Sequence, residues 1–286
     1  LSLDLISKVV LKTDLLDYVD LRSGFTSGTV AINLVDADLP VSALSCGWTS
    51  DGQVTYTQVN VIIDSLQSKT EMCVEDLRAK YQSAFMNAGT GNDFIPFEEV
   101  ISESYTDKLR KYNEGLLING AGAAGAGTGL KAQITSALGA NLQAGVPAAW
   151  TATNAFEQAL DLYDAIAESV KDRDDLIMVV SPDAYRALVR ALVAQNLYHF
   201  NSVESNDILI LPGTNVTVVK SSGLVGSDNK FAGPGKMILA ATGLTDELDT
   251  FRFFYDEASD VMRFRAAWRL GVGVGQVNVF ATNDMA

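Results

Sequence analysis

The chain has 286 residues, 48% of them hydrophobic, and carries a formal net charge of −14. That apolar content is enough to bury a core in one large or two modest domains and excludes a disordered polypeptide. The acidic balance argues against a protein that grips nucleic acid through its phosphates, and no apolar run approaches the ~18 residues of a membrane span.

Residues 1–29 read as an arm that ends in the loop signal Gly24-Phe25-Thr26-Ser27-Gly28. Leu1 is not an initiator methionine, and no small-residue cleavage site follows Leu3, Leu5 and Ile6. A trimmed chain and proteolytic removal of an N-terminal segment both account for this start. Val30, Ile32 and Leu34 alternate, which predicts a strand over 30–35. Val41–Thr49 and Gln53–Ile63 then flank Ser50-Asp51-Gly52, a type I′ hairpin signal. The second arm is polar on one face through Gln53, Thr55 and Thr57. Such a ribbon buries little and is marginal alone, so it calls for a partner surface. Trp48 beside the turn is costly unless covered, either by a neighbouring subunit or by its own ribbon. Trp48, Asp51, Gly52 and Tyr56 are therefore candidate intersubunit contacts.

CVEDLRAKYQSAFM (73–86) predicts a short helix with Val74, Leu77, Tyr81 and Phe85 inward, and Asn87–Asp93 a loop. Phe97, Ile101, Tyr105, Leu109, Tyr112 and Leu116 recur at helical spacing and predict a long helix over 97–119. At ~1.5 Å per residue it spans about 33 Å. Pro96 suits its first position, Glu98 and Glu99 suit its positive end, and Asp107 sits four residues before Lys111.

The helix runs into Gly120-x-Gly122-x-x-Gly125, on paper a dinucleotide fingerprint. That motif needs a strand before the first glycine, a helix after the last and an acid about 20 residues on. Here a helix enters, the exit through Gly129 is too rich in glycine to start one, and no acid lies near Asn141. A surface loop is the better reading, and an NAD-binding enzyme using Gly120–Gly125 is the alternative from another functional class.

Asn154-x-x-Glu157 resembles a capping box for a helix to Val170, with Phe156, Leu160, Tyr163 and Ala167 on one face. Leu176–Val180 predicts a buried strand. Ser181-Pro182-Asp183 then starts a helix with Tyr185, Leu188, Val189 and Leu192 inward. Strands at 208–211, 216–220 and 237–241, with a turn at Pro212-Gly213, complete an α+β unit. Phe251–Tyr255 turns through 256–260 into Val261–Leu270, and a last strand covers Val272–Phe280. Met262, Phe264, Ala266, Trp268 and Leu270 share one face, and Arg263, Arg265 and Arg269 the other. The net charge favours acids, in the same chain or a neighbour, over nucleic acid as partners of these arginines.

Catalytic chemistry is sparse. His199, the single histidine, lies between Tyr198 and Phe200 and has no companion for a metal. Cys46 and Cys73 fit no metal spacing and no disulfide framework, as expected of thiols kept reduced while the protein folds. No Gly-x-Ser-x-Gly elbow occurs, and Gly235-Lys236 lacks the rest of a phosphate loop. No catalytic residue, metal or cofactor is predicted.

The order of arm, hairpin, long helix, α+β unit and terminal β ribbon resembles the Hong Kong 97 capsid fold of tailed double-stranded-DNA bacteriophages. LILPGTNVTVV, and CVEDLRAKYQSAFM leading into IPFEEVISESYTDKLRKY, are similar to segments of capsid proteins of this lineage. The resemblance implies an α+β fold with an N-terminal arm (1–29) and an E-loop with flanking strands (30–72). It implies a peripheral domain (73–170) holding the spine helix 97–119, an axial domain (171–245), and return strands with a tail (246–286). It further implies a non-enzymatic major capsid protein that self-assembles as hexamers and pentamers into an icosahedral shell around double-stranded DNA. Portal, scaffolding and decoration proteins would be its partners, the virion its location and the host cytoplasm its place of assembly. No sequence-specific DNA binding and no membrane are implied. An encapsulin-like compartment shares the fold, and a tail or connector protein is a further alternative.

Overall fold

The structure is a computed structural model that describes residues 14–25, 28–37, 41, 47, 52–73, 97–120, 127–195, 209–243, 251–259 and 261–285. In chain order its elements begin with β1 (Asp20–Arg22), β2 (Gly28–Ala37) and β3 (Val54–Cys73). The helices α1 (Phe97–Asn119) and α2 (Leu130–Gln133) and the short strand β4 (Asn141–Leu142) follow. Next come α3 (Ala155–Asp164), β5 (Leu176–Val180), α4 (Pro182–Ala194), β6 (Leu209–Ile210) and β7 (Thr217–Lys220). Strands β8 (Phe231–Pro234), β9 (Ile238–Thr242), β10 (Phe251–Asp256), β11 (Val261–Val274) and β12 (Ala281–Thr282) complete the chain.

The strands form two sheets. The first runs β1-β9-β11-β3-β2, with β10 also on β11; the second runs β4-β12-β8-β5-β7-β6. β11 organises the first sheet. Residues 261–270 pair with 73–64 of β3, while the other edge takes β10 over 261–266 and β9 over 270–274. The predicted alternation along β11 holds: Phe264, Ala266, Trp268 and Leu270 are buried. α1 lies across that face. Tyr105 stacks on Phe264 with ring centres 4.6 Å apart, and Trp268 Nε1 donates to Asn113 Oδ1 at 2.8 Å.

α1 keeps its predicted bounds, but among the described residues of its predicted inner face Tyr112 differs. Tyr112 is exposed, and Asn113, one turn beyond the buried Leu109, takes the inward position beneath Trp268. Pro96 lies outside the described residues. β2 pairs with the first half of β3 from Gly28↔Ile63 to Ala37↔Val54, so 28–37 is a partner arm of 54–63; of the predicted arm 41–49, all but 41 and 47 lies outside the described residues. The Ser50-Asp51 turn and Trp48 lie outside the described residues. β3 runs on to Cys73, so that residue belongs to a strand and not to the predicted 73–86 helix. The remainder of that segment is outside the described residues.

α3 is shorter than predicted and its capping box does not form. Asn154 Oδ1 accepts from the Thr151 amide (2.7 Å) and hydroxyl (2.9 Å), and its Nδ2 donates to the Ala149 carbonyl. The side chain ties down the preceding loop instead of the helix amides, and the chain leaves the α-helix after Asp164 for a 3₁₀ turn at 168–170. Ala155, Ala159 and Leu162 are buried, while Phe156, Leu160 and Tyr163 pack around them only partly buried. α4 starts as predicted: Ser181 Oγ accepts from the Ala184 amide at 3.2 Å, and Pro182 opens the helix.

The second sheet takes β4 and β12 from outside the 171–245 segment, whereas β9, inside it, belongs to the first sheet. β12 reaches the second sheet because the predicted 272–280 strand is broken. β11 stops at Val274, a 3₁₀ turn covers 277–279, and β12 then pairs with β8 and β4. The fully buried β8, between β12 and β5, was not anticipated.

Glu114 holds α1 to the second sheet. Its carboxylate is 3% exposed and accepts from the Ser222 amide (3.1 Å) and hydroxyl (2.6 Å). Asn119 Nδ2 donates to the Gly223 carbonyl at 2.7 Å. Glu114→Ala leaves the Ser222 amide without its acceptor and is expected to cost about 2–3 kcal/mol. Denaturant unfolding of the unassembled protein reads this; a loss below about 0.5 kcal/mol would mean that the clamp carries no weight.

Lys230 is completely buried, directly before β8. Its Nζ donates to the Asp228 carbonyl at 2.6 Å and lies 5.3 Å from the Trp150 ring centre. Burial pulls the amine from its ordinary 10.5 down to about 8, against the opposing pull of the Asp228 carboxylate. The unfolded chain therefore holds this proton up to about pH 10.5 and the folded protein only up to about pH 8. Stability rises with pH between those values and the contribution is level below them. From pH 8 to 10.5, the stability of wild type relative to Lys230→Met should rise by on the order of 3 kcal/mol. A pH-independent difference would contradict this assignment.

Candidate assembly interface

The ribbon formed by β2 and the first half of β3 leaves the body with both faces open. Adjacent side chains in a strand point to opposite faces, and Val54, Thr55 and Tyr56 are all exposed, Tyr56 at 77%. Gly52, Gln53 and Gln58 are exposed as well, and so is Val35 on the partner strand. Only the base is buried. Val61 and Ile63 pack with Leu239 and Ala241, and Phe25 covers them in part.

Two glycines of β11 make that base possible. A Cβ on Gly271 would lie 2.4 Å from the Ile62 carbonyl oxygen, and one on Gly273 would lie 2.3 Å from Val61 Cγ2. Alternate glycines in Leu270-Gly-Val-Gly-Val274 thus leave one face of β11 bare, and the backbone of β3 crosses it in direct contact. Sequence reasoning passed over this pair, although glycine at every second strand position is the available signal for a close backbone approach. The cavity beside it, lined by Leu116, Leu117, Gly127, Leu270, Gly271 and Val272, holds about 10 Å³. That is at the lower limit for one water molecule, far below a ligand site.

The arginines grouped by sequence have different surroundings. Arg263 Nη1 lies 2.6 Å from Asp256 Oδ2, with Glu71 farther off at 3.9 Å. Arg269 is half-buried and its aliphatic stem lies against Gly243. Arg265 is exposed, between Lys69 and Arg252 in the strand register. Tyr56 and Gly52 lie toward the far end of the ribbon, well away from these arginines; Trp48 and Asp51 are outside the described residues.

The fingerprint glycines do not follow a strand. α1 enters Gly120, whose φ of 61° and amide bond to the Leu116 carbonyl (2.8 Å) make it a helix stop. A helix does follow the glycines, contrary to expectation, but it is the four-residue α2 beginning at Leu130. Residues 121–126, Cys46 and His199 lie outside the described residues, and Cys73 is exposed at the end of β3. Gly235-Lys236 forms a 3₁₀ turn linking the two sheets.

No family model matches the chain, and no curated protein does so significantly. Solved structures do. The capsid of the native GTA particle superposes with a TM-score of 0.61 at 12% identity, over 95% of this chain and 90% of that one. The capsid of Myoviridae phage XM1 gives 0.57 at 10% identity, over 94% and 90%. The virus-like particle from Pyrococcus furiosus gives 0.56 at 12% identity, over 97% and 95%. The chain has the Hong Kong 97-like capsid fold. In this fold the β2–β3 ribbon is the E-loop and α1 the spine helix.

The glycine track beneath the E-loop base is open to direct test. Gly273→Leu drives side-chain atoms into Val61 and is expected to cost about 2–4 kcal/mol. Amide exchange along 28–37 and 54–63 should accelerate while β5 amides keep their protection. Equal acceleration in β5 would show that the track supports the whole fold rather than the E-loop.

Proposed function

We propose that this chain is the structural major capsid protein of a tailed double-stranded-DNA bacteriophage. Copies self-assemble as hexamers and pentamers into an icosahedral shell that encloses the genome, without catalysis. The observation that carries this reading is the likeness to capsids over 95% of the chain. The E-loop gives it physical support: a two-stranded ribbon with both faces in water is marginal and gains burial by lying on a sister subunit. The charge of −14 suits a container as well, since an acidic wall lets packaged DNA slide rather than stick.

The segments take the corresponding roles: 1–29 the arm, 30–72 the E-loop, 73–170 the peripheral domain, 171–245 the axial domain and 246–286 the return strands and tail. β9, β4 and β12 are exchanged between the two domains by strand pairing. Portal, scaffolding and decoration proteins are the partners, the host cytoplasm is the place of assembly and the virion the destination. The likeness to the Pyrococcus furiosus particle favours a second reading, an encapsulin-like compartment holding protein cargo.

Electron microscopy of the purified full chain tests the proposal. Closed shells are expected; rings or tubes would point to a tail or connector component. A stable monomer at micromolar concentration would refute shell formation. Nuclease-protected double-stranded DNA in shells from the native source supports the capsid, and protein cargo the compartment.

A further inference from the structure

At one end of the second sheet the ladder continues past its strands into a polar row. β12 pairs Thr282 with Leu142 of β4 and with Phe231 of β8. One position further on, Asn283 stands between Gln143 and Lys230, and all three are buried. The Gln143 amide donates to the Thr282 carbonyl at 2.9 Å and the Asn283 amide to the Lys230 carbonyl at 3.2 Å. Directly opposed residues share one face of a sheet. Asn283 is the short member of the row, and its side chain is held at the backbone. Its Oδ1 accepts from the Lys230 amide (2.7 Å) and its Nδ2 donates to the Asp228 carbonyl (2.7 Å). The layer above it is left to its two longer neighbours and to Trp150, whose ring centre lies 5.3 Å from Lys230 Nζ.

Two polar atoms of this layer, Trp150 Nε1 and Gln143 Oε1, are buried with no hydrogen-bond partner among the described residues. Buried polar groups are ordinarily bonded, so each calls for a partner. The orientation of Gln143 is fixed by its neighbours. The Ala148 amide donates to Gln158 Oε1 at 3.2 Å, which makes that atom an acceptor, and Gln143 Nε2 donates to the same oxygen at 2.9 Å. Gln143 therefore turns an oxygen, not an NH₂ group, to the layer. A charged Lys230 brings three N–H groups. One goes to the Asp228 carbonyl at 2.6 Å, while the Asp228 carboxylate, at 4.0 Å, is beyond hydrogen-bond reach. The layer thus presents donors from Lys230 and Trp150 and an acceptor from Gln143. A halide cannot donate to that acceptor, and a metal cation cannot accept from an indole or an ammonium. Water does both.

We propose that this layer is a binding site for an internal water molecule, which accepts from Trp150 Nε1 and Lys230 Nζ and donates to Gln143 Oε1. Three partners are the usual number for a buried water. Held in this way, the water joins the loop before α3 to the β8–β12 ladder, two parts of the chain that are distant in sequence. It also solvates the Lys230 ammonium, which is still charged at neutral pH and would otherwise be costly among apolar neighbours. The site belongs to the single subunit and does not depend on shell formation.

A crystal or electron-microscopy structure of the full chain, at a resolution that shows ordered water, tests this. The expected result is a single peak within about 2.7–3.2 Å of Trp150 Nε1, Lys230 Nζ and Gln143 Oε1. An empty layer, or Trp150 Nε1 bonded directly to a protein carbonyl, would overturn the site. Crystals grown in bromide instead of chloride test the anionic alternative. An anomalous bromide signal at the peak would overturn water and assign an anion, and its absence supports water. Gln143→Met keeps the length of the side chain but removes the acceptor, and the peak should be lost. A peak that persists unchanged in this variant would overturn the assigned partners. Should the variant fail to fold, the wild-type peak and the bromide crystals still decide the outcome.

Discussion

Most of the molecule depends on the ladder between β3 and β11. Ten paired positions, from Val261↔Cys73 to Leu270↔Asp64, fix the register of a 20-residue strand of which only half is needed by the body. The inward face of the ladder is closed by α1 through Phe264, Trp268 and Leu66, so a slip of one residue would turn those side chains to water and the cations inward. With that slip forbidden, the E-loop has a set starting point and direction. Its exposure is therefore not looseness. It follows from a strand anchored at one end and continued beyond the body.

The two sheets are joined by means that polar chemistry makes specific. The 3₁₀ turn at 235–237 passes the chain from β8 to β9, and Glu114 binds α1 to Ser222 across a long sequence separation. Apolar contact would hold the layers together without fixing their relative position. A buried carboxylate with two donors, beside Asn119 on the Gly223 carbonyl, does fix it. These bonds thus tie α1, which lies on the first sheet, to the 222–224 turn of the second.

Periodicity made α1, β5, α4 and the inward face of β11 legible, because their patterns are long and their burial is local. Ser181 shows the same at the scale of one residue: its cap follows from residue type and position alone. The misses share one cause, competition from distant parts of the chain. The pairing of 28–37 with 54–63 is set by a ladder of ten residues that no local turn signal reports. Asn154 has the chemistry of a cap, and the loop at Thr151 takes its oxygen first. Val272–Phe280 has the composition of a strand, yet β12 is drawn to β8 only once the second sheet exists. For the interface, Tyr56 and Arg265 were legible as surface residues. Among the described residues Arg265 has no ion pair, and its position between Lys69 and Arg252 depends on cross-strand register, which no local pattern encodes.

β3 passes from the body into the E-loop without a break in its strand structure. An arm built in this way has no swivel at its root. Any change in its angle has to be spread over the twist and coil of many residues, each contributing a few degrees. Such an arm acts as a leaf spring. A load at its tip is shared along the whole strand, and the pairing of β3 with β2 opposes it.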